Sequence, residues 1–294
     1  MEPVISVRDL WHRYGKRVIH QGLSFDVGQG EVVALLGKNG VGKTTLIQLL
    51  MGFMRPWRGE ARIFGERSNA LTPSTRRRVG LLFEGHQCHD YLSIDQFEAF
   101  HRAFYPAWDR DVFYGLVNLL GLKGSHRPKD MSCGQRSQVV LGALLAQKPE
   151  LLILDDYSMG LDAGYRRLFV DYLKEHLRES KATVFLTSHV IEDMDSLVDR
   201  VLFLRRGGAP LLTNLSAFKR DFCAFRLTRF EGDEGCLEVG GALHNLERHA
   251  DYWELFTFEP EKLKAQLASQ SVPGTLTPQA MTLEDAFIGY TGRY

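Results

Sequence analysis

The chain has 294 residues, of which 44% are hydrophobic and 24% charged, as in ordinary globular proteins. This length suits one large domain, alone or with a small appendage. Lysine plus arginine and aspartate plus glutamate number 36 each, so the formal net charge is zero. A balanced charge argues against a protein that coats nucleic acid, and we expect no nucleic-acid partner.

Cysteine spacing and the apolar runs bear on the compartment. The four cysteines show neither metal-ligand spacing nor a paired framework, which fits a reducing environment. We find no signal segment at the start and no apolar run near the roughly 18 residues needed to span a bilayer. We therefore expect a soluble, cytoplasmic protein that reaches a membrane only through a partner.

The first predicted elements are strands of an antiparallel sheet. Residues 4–14 and 23–27 alternate or cluster apolar side chains around a turn at Gly15 and Lys16. Tyr14 lies just before that turn. Its ring could stack on a purine base or could simply cover the sheet core, and the local pattern leaves both interpretations open.

A phosphate-binding pattern follows, between an apolar strand at 31–36 and a helix at 45–51 that closes at Gly52. Eight consecutive positions fit G-x-x-x-x-G-K-[ST], and the strand–loop–helix context makes the match specific. They are Gly37, Lys38, Asn39, Gly40, Val41, Gly42, Lys43 and Thr44. The sequence thus predicts a nucleoside triphosphate site.

Each residue type in this loop suits phosphate chemistry. Glycines let the backbone form a cradle of N–H groups, and the start of the following helix adds a favourable dipole. Lys43 is predicted to reach the β- and γ-phosphates, and the Thr44 hydroxyl to ligate Mg²⁺. An ordinary glycine-rich turn is the alternative.

The middle of the chain is predicted to be helical. After strands at 59–64 and 79–83, apolar residues fall at helical spacing from Leu92 to Leu122, with a break at Tyr105 and Pro106. Ser132 is a good N-cap for an apolar helix that runs to Ala146.

Two acids follow a fully apolar strand at 151–154. Because ligands gather at the carboxyl ends of parallel strands, Asp155 and Asp156 are expected to face the phosphates, although they could instead cap a helix. A helix at 162–177 and a strand at 183–186 come next. His189 follows that strand and is either a core residue or part of the site. A strand at 200–204 is closed by glycines 207 and 208.

Beyond Pro210 the composition changes. Short strands are predicted at 222–230, 236–239 and 253–258, and short helices at 261–269 and 283–290. This pattern indicates a small α+β appendage.

These residues together resemble the nucleotide-binding subunit of ATP-binding cassette (ABC) transporters, of the bacterial exporter type, over roughly residues 1–210. The resemblance implies an α/β P-loop ATPase cassette with a mixed, largely parallel core sheet and an antiparallel β subdomain. It also implies a helical subdomain at about 85–148, followed by an accessory domain at 211–294.

The resemblance assigns roles residue by residue. Tyr14 matches the aromatic that stacks on adenine, residues 37–45 including Thr45 match the Walker A loop, and Asp155 matches the Walker B aspartate that holds Mg²⁺. Asp162 matches the D-loop, and His189 matches the switch histidine. The signature segment, which contacts the ATP of the opposite protomer, is matched by Ser132, Cys133, Gly134 and Gln135.

Three positions depart from the family pattern. Cys133 replaces a glycine and adds a side chain where backbone should approach phosphate. Asp156 stands where a glutamate polarises the attacking water, and its shorter reach predicts slow hydrolysis. Glu84 stands where a glutamine contacts Mg²⁺, and a carboxylate there can still act as a ligand.

The function implied is an ATPase that drives transport as two cassettes close on ATP and open after hydrolysis. Its partners would be a separate transmembrane permease and a second cassette, identical or different, at the cytoplasmic face of the membrane. Two alternatives stay open. One is a regulatory half of an asymmetric heterodimer, and the other is a non-transport ABC ATPase associated with ribosomes or DNA.

Overall fold

The computed structural model describes residues 2–205, 209–228, 237–270, 272 and 274–292. The chain forms two compact units, one ending at Leu212 and the next beginning at Thr213. Within the described part of the chain, no helix is both long enough and apolar enough to cross a membrane.

The strands belong to both antiparallel and parallel sheets. They are β1 (Ile5–Tyr14), β2 (Arg17–Val27), β3 (Val32–Gly37), β4 (Arg58–Ile63), β5 (Glu66–Arg67), β6 (Val79–Leu82), β7 (Leu151–Leu154), β8 (Thr183–Leu186), β9 (Arg200–Leu204), β10 (Leu211–Asn214), β11 (Cys223–Thr228), β12 (Asn245–Arg248), β13 (Tyr252–Thr257) and β14 (Thr275–Gln279).

The helices are interspersed with these strands. They are α1 (Lys43–Leu50), α2 (Pro73–Arg77), α3 (Ile94–Arg102), α4 (Arg110–Leu119), α5 (Cys133–Ala146), α6 (Ala163–Ser180), α7 (Leu215–Asp221), α8 (Pro260–Ser269) and α9 (Leu283–Thr291). The strands predicted at 151–154, 183–186 and 200–204 have the same bounds as β7, β8 and β9.

The first unit contains two sheets. One has the order β2-β1-β4-β5 and is antiparallel, and the other has the order β10-β9-β3-β8-β7-β6, in which β9, β3, β8, β7 and β6 run parallel. The predicted α/β fold class is thereby confirmed.

The register of the parallel sheet aligns the carboxyl ends of three strands. Leu82 of β6 pairs with Leu154 of β7, and Leu154 pairs with Leu186 of β8. The residues that follow these strands therefore emerge side by side at one edge of the sheet. This edge is where ligands bind in parallel α/β sheets.

Helix α1 connects the two sheets through one apolar core. It buries Leu46, Ile47, Leu49 and Leu50 in a cluster with strand residues from both sheets. Each such side chain stabilises the fold by about 1.5–3 kcal/mol when fully buried. Phe25 and Phe185 stack across the core with ring centroids 6.0 Å apart. The phosphate-binding loop is thus attached to a helix that is packed into the core.

The helical region has its own core. Ser93 and Gln96 form a capping box at the start of α3, and the Asp109 side chain caps α4. Phe97, Phe113 and residues of α5 pack together inside this region. The break predicted at Tyr105 and Pro106 falls between α3 and α4.

The second unit is an antiparallel sheet of order β12-β13-β11-β14. Leu263 and Leu267 of α8 belong to its core with Trp253 and Leu255. The strand predicted at 236–239 is wrong for residues 237–239, and Cys236 lies outside the described residues. Residues 229–230 and the turn at glycines 207 and 208 also lie outside them.

Candidate functional site

The phosphate-binding loop joins the end of β3 to the start of α1. Gly42 is the N-cap of α1 and has a left-handed backbone, with φ +108°. A Cβ there would lie 2.5 Å from Cγ2 of Ile19 and 2.8 Å from Cε1 of His20. Only glycine fits this position, because β2 packs directly beneath the loop.

Lys43 is held against the loop that precedes it. Its Nζ donates to the carbonyl of Gly37 at 2.7 Å and to that of Lys38 at 3.4 Å. Burial lowers the pKa of Lys43 below its usual value, while the carboxylates of Asp156, Asp155 and Glu84 oppose that shift. The side chain is therefore a cation placed among three acids.

Asp155 lies on the floor of the site, between two hydroxyl groups. Its Oδ1 accepts from Thr187 Oγ1 at 3.1 Å and from Thr44 Oγ1 at 3.4 Å. Burial raises the pKa of Asp155, the two hydroxyl bonds oppose this, and the charges of Glu84 and Asp156 add to it.

Asp156 is buried and has a left-handed backbone, with φ 46°. Non-glycine residues rarely adopt this conformation, and such strain clusters at functional sites. Ser158 Oγ donates to its Oδ1 at 3.0 Å, and His189 Nε2 lies 3.2 Å from its Oδ2. The carboxylate is thus oriented from two sides.

Two hydroxyl residues that the sequence analysis did not single out complete this network. Thr187 Oγ1 accepts from the Asp156 N–H at 2.7 Å while donating to Asp155, so it links the two acids. Ser158 Oγ accepts from Ser188 Oγ at 2.8 Å. Both follow buried strand ends, which is the signal that could have indicated them.

One cavity of about 510 Å³ collects most of the predicted site residues. Those that line it are Tyr14, Asn39, Gly40, Gly42, Lys43, Thr44, Thr45, Glu84, Asp155, Asp156 and His189. Gly37, Lys38 and Val41 belong to the same loop without lining the cavity. Tyr14 is 47% exposed, and its hydroxyl lies 3.4 Å from Thr45 Oγ1. The ring is therefore available at the rim of the cavity.

The donor set at the floor suits a magnesium ion. Thr44, Asp155 and Glu84 offer a hydroxyl and two carboxylates, and Mg²⁺ prefers such oxygen ligands. Burial raises the pKa of Asp155 and the charges of Glu84 and Asp156 raise it further; a divalent cation would offset that negative charge. The residues therefore fit this ion.

Comparison with known proteins assigns the family. Residues 20–158 match the family described as "ABC transporter". Residues 20–158 thus form an ABC transporter domain, as the resemblance predicted. The chain is also 26% identical over 302 residues to the Nod factor export ATP-binding protein I of Rhizobium leguminosarum bv. viciae, covering 100% of this chain and 96% of that protein.

Solved structures show the same fold. The ATP-binding subunit of an ABC transporter has a TM-score of 0.66 at 24% identity, covering 74% of this chain and 92% of that one. A dimeric ATP-binding cassette in a post-hydrolysis state, bound to ADP and Pi, has a TM-score of 0.62 at 20% identity, covering 72% and 98%. The predicted family and cassette fold are confirmed.

The predicted signature segment lies outside the cavity lining. Ser132 and Gln135 form a capping box at the start of α5: Ser132 Oγ accepts from the Gln135 N–H at 3.2 Å, and Gln135 Oε1 accepts from the Ser132 N–H at 3.1 Å. A Cβ on Gly134 would collide with the ring of Tyr165. The predicted residues here are brought together with each other and not with the phosphate loop.

Cys133 and Asp162 have local partners in the same chain. A Cβ on Gly160 would lie 2.9 Å from Cys133 Sγ, so this thiol packs toward the loop before α6. Asp162 caps α6 by accepting from the Tyr165 N–H at 2.9 Å. Neither residue lines the cavity.

Proposed function

We propose that the chain is the ATP-binding and ATP-hydrolysing subunit of a membrane ABC transporter of the exporter type. One observation carries the proposal: the phosphate loop, the acid pair and His189 line a single cavity. Its volume of about 510 Å³ lies in the range of small-molecule sites. The match of residues 20–158 to the ABC transporter family supports ATP as the ligand.

The phosphate loop and Tyr14 at the rim of the cavity would bind ATP. Tyr14 would stack on the adenine, and the backbone N–H groups of residues 37–45 would cradle the phosphates at the start of α1. Lys43 would exchange the Gly37 carbonyl for the β- and γ-phosphate oxygens. Thr44, Asp155 and Glu84 would hold Mg²⁺, which supplies charge neutralisation at the transferring phosphoryl group.

Hydrolysis follows from Asp156. Its carboxylate would accept a proton from water as the water oxygen bonds to the γ-phosphorus and the bond to the ADP oxygen breaks. Ser158 and His189 contact this carboxylate in the free protein, and His189 would turn to donate to a γ-phosphate oxygen when ATP is bound. The shorter reach of aspartate favours slow turnover.

Two cassettes would share each ATP. The signature residues Ser132, Cys133, Gly134 and Gln135 lie outside the cavity of their own chain, so a second copy or a related cassette would present them to the bound ATP. ATP would then close the dimer and its hydrolysis would release it. The dimeric structural neighbour bound to ADP and Pi supports this arrangement.

The remaining partner would be a transmembrane permease encoded separately, with the cassette held peripherally on the cytoplasmic face. The relative of matching length that is named for Nod factor export supports an export direction. Purification of the tagged chain from solubilised membranes of its host should recover a polytopic membrane protein. Recovery of ribosomal or DNA-repair proteins alone would contradict transport and favour the non-transport alternative.

Mixing two inactive variants tests the shared site. Lys43→Ala should abolish one side of each site and Ser132→Arg the other, so each variant alone should show only background ATP hydrolysis. An equal mixture should recover about a quarter of wild-type activity, because half of the dimers are mixed and each mixed dimer holds one intact site of two. No recovery, with both variants folded, would contradict the composite site.

A regulatory half of a heterodimer is the second candidate. Asp156, Glu84 and Cys133 are the observations that favour it, since each departs from the family pattern at the site. On this hypothesis Asp156→Glu raises ATP turnover of the purified chain. Unchanged or lower turnover with intact folding would count against it.

A further inference from the structure

His86 lies two residues beyond Glu84, and its side chain is fully buried. It stands where three segments meet. Its Nε2 is 3.1 Å from the carbonyl oxygen of Tyr157, which directly follows the acid pair. The same Nε2 is 3.5 Å from Ser137 Oγ in α5.

The donor and the acceptor of the hydrogen bond between His86 and Tyr157 can be assigned. The Tyr157 carbonyl can only accept, so Nε2 carries the hydrogen and donates it. Nδ1 is also buried and has no hydrogen-bond partner among the described residues. Burying a polar ring is unfavourable unless it is hydrogen-bonded. The bond to Tyr157 is therefore what compensates the burial of this ring.

The backbone around His86 separates it from Glu84. Gly85 and His86 both have left-handed conformations, with φ 79° and 49°. The His86 N–H donates to the Phe83 carbonyl at 3.1 Å, which closes a tight turn. Glu84 consequently faces the cavity while His86 enters the protein interior. A non-glycine residue rarely adopts this conformation, so the contacts of the His86 side chain help to hold the turn in place.

Tyr157, whose carbonyl accepts this hydrogen bond, lies in a closely packed segment. The Tyr157 ring is fully buried and stacks on Phe169, with ring centroids 5.1 Å apart. The Tyr157 N–H points to the Thr187 carbonyl at 3.4 Å. The segment that anchors His86 is thus the same segment that carries Asp155 and Asp156.

We propose that His86 is a positioning residue that holds the Glu84 carboxylate at the metal-binding end of the cavity by tying its turn to the Tyr157 carbonyl. The inference rests on the proposed function, because Glu84 acts there as a ligand of the nucleotide-bound Mg²⁺. It adds a residue that acts through Glu84 without touching ATP or metal.

The test measures binding of a fluorescent ATP analogue to the full chain as a function of Mg²⁺ concentration. His86→Leu should raise the Mg²⁺ concentration for half-maximal binding about tenfold, the scale expected for residues that orient metal ligands. His86→Gln, whose amide can still donate to Tyr157, should recover most of that shift. In a Glu84→Gln background, His86→Leu should add no further shift.

His101→Leu is the matched control. His101 also bonds a backbone carbonyl, with Nδ1 2.8 Å from Phe97 O, and it lies outside the cavity lining. It should leave the Mg²⁺ dependence unchanged. If His86→Leu does not fold, His86→Ala replaces it in the same comparison.

Three outcomes overturn the inference: an equal shift from His86→Leu in the Glu84→Gln background, a shift from His86→Gln as large as that from His86→Leu, or the same shift from His101→Leu. A wild-type chain that binds no nucleotide at any Mg²⁺ concentration would instead contradict the proposed function itself. The two failures are therefore distinguishable.

Discussion

The phosphate cavity and the signature segment satisfy their polar groups in opposite ways. In the cavity, hydroxyl groups donate to the carboxylates of Asp155 and Asp156, and the Lys43 ammonium donates to a carbonyl of the loop. In the signature segment, Ser132 and Gln135 satisfy each other's backbone N–H groups. The polar groups of the cavity surround open space, whereas those at the start of α5 are paired with one another and lie outside the cavity lining.

The two regions also differ in packing. The cavity leaves about 510 Å³ open. The signature segment is closely packed, since Gly134 faces the Tyr165 ring and Cys133 faces Gly160. We therefore expect substitutions in the cavity to act through charge and those in the signature segment to act through sterics.

The largest effect should come from the charge of Asp156. Asp156→Asn keeps the shape and an acceptor for Ser158 but removes the base, so single-turnover ATP hydrolysis should fall about 1000-fold. Nucleotide affinity should change less than about threefold, because Lys43 and the loop remain. Asp171→Asn, the same change at an exposed residue of α6, is the control. A parallel loss of binding would mean that Asp156 supports the cavity itself.

His20 beneath the loop should make stability depend on pH. Burial lowers its pKa from 6.5 to about 4, so between these values the unfolded chain binds a proton that the folded chain does not. The stabilisation is complete above pH 6.5 and is lost as the pH falls toward 4, by at most about 3 kcal/mol.

Chemical denaturation between pH 7 and 4 checks this effect. His20→Gln keeps a donor toward the Gly42 carbonyl, which lies 3.1 Å from His20 Nε2, but does not titrate. The free energy of unfolding of the wild type should therefore decrease relative to that of the variant as the pH falls. A difference that stays constant would show that His20 is not the group responsible.

Two glycines of α5 separate sterics from helix propensity. Gly134→Ala should destabilise the fold by about 2 kcal/mol, because its Cβ collides with the Tyr165 ring. Gly142→Ala meets only ordinary contacts, the nearest at 3.5 Å, and should stabilise by about 0.5–1 kcal/mol. Thermal unfolding measures both. Equal effects would mean that the start of α5 is looser than its packing indicates.

The sequence alone predicted the parts of the site that depend on local chemistry. The loop at 37–44 and the strand at 151–154 have residue patterns that few other structures tolerate, and α1 and β7 form there. The network through Thr187 and Ser158 could not be predicted, because it depends on which strand ends become neighbours. The burial of His86 likewise depends on its contact with Tyr157, which is distant along the chain.

The second unit was harder to predict because its elements are short. Strand β14 contains Pro278, which disfavours a strand in a sequence pattern. It forms at the edge of the sheet, next to β11 alone, where a missing N–H is tolerated. The order of the strands, which determines whether such a residue is allowed, is not visible in the sequence.

The smallest effect should come from the rim of the cavity, where Tyr14 is half exposed. Tyr14→Ala should weaken binding of an adenine nucleotide about fivefold, since exposed aromatic stacking contributes about 1 kcal/mol. Tyr14→Phe keeps the ring, loses only the hydroxyl near Thr45, and should bind within about twofold of wild type. Titration with ATP and with inorganic triphosphate distinguishes the two roles of the ring. A loss for both ligands would place Tyr14 in the support of the loop, whereas a loss for ATP alone would place it against the base.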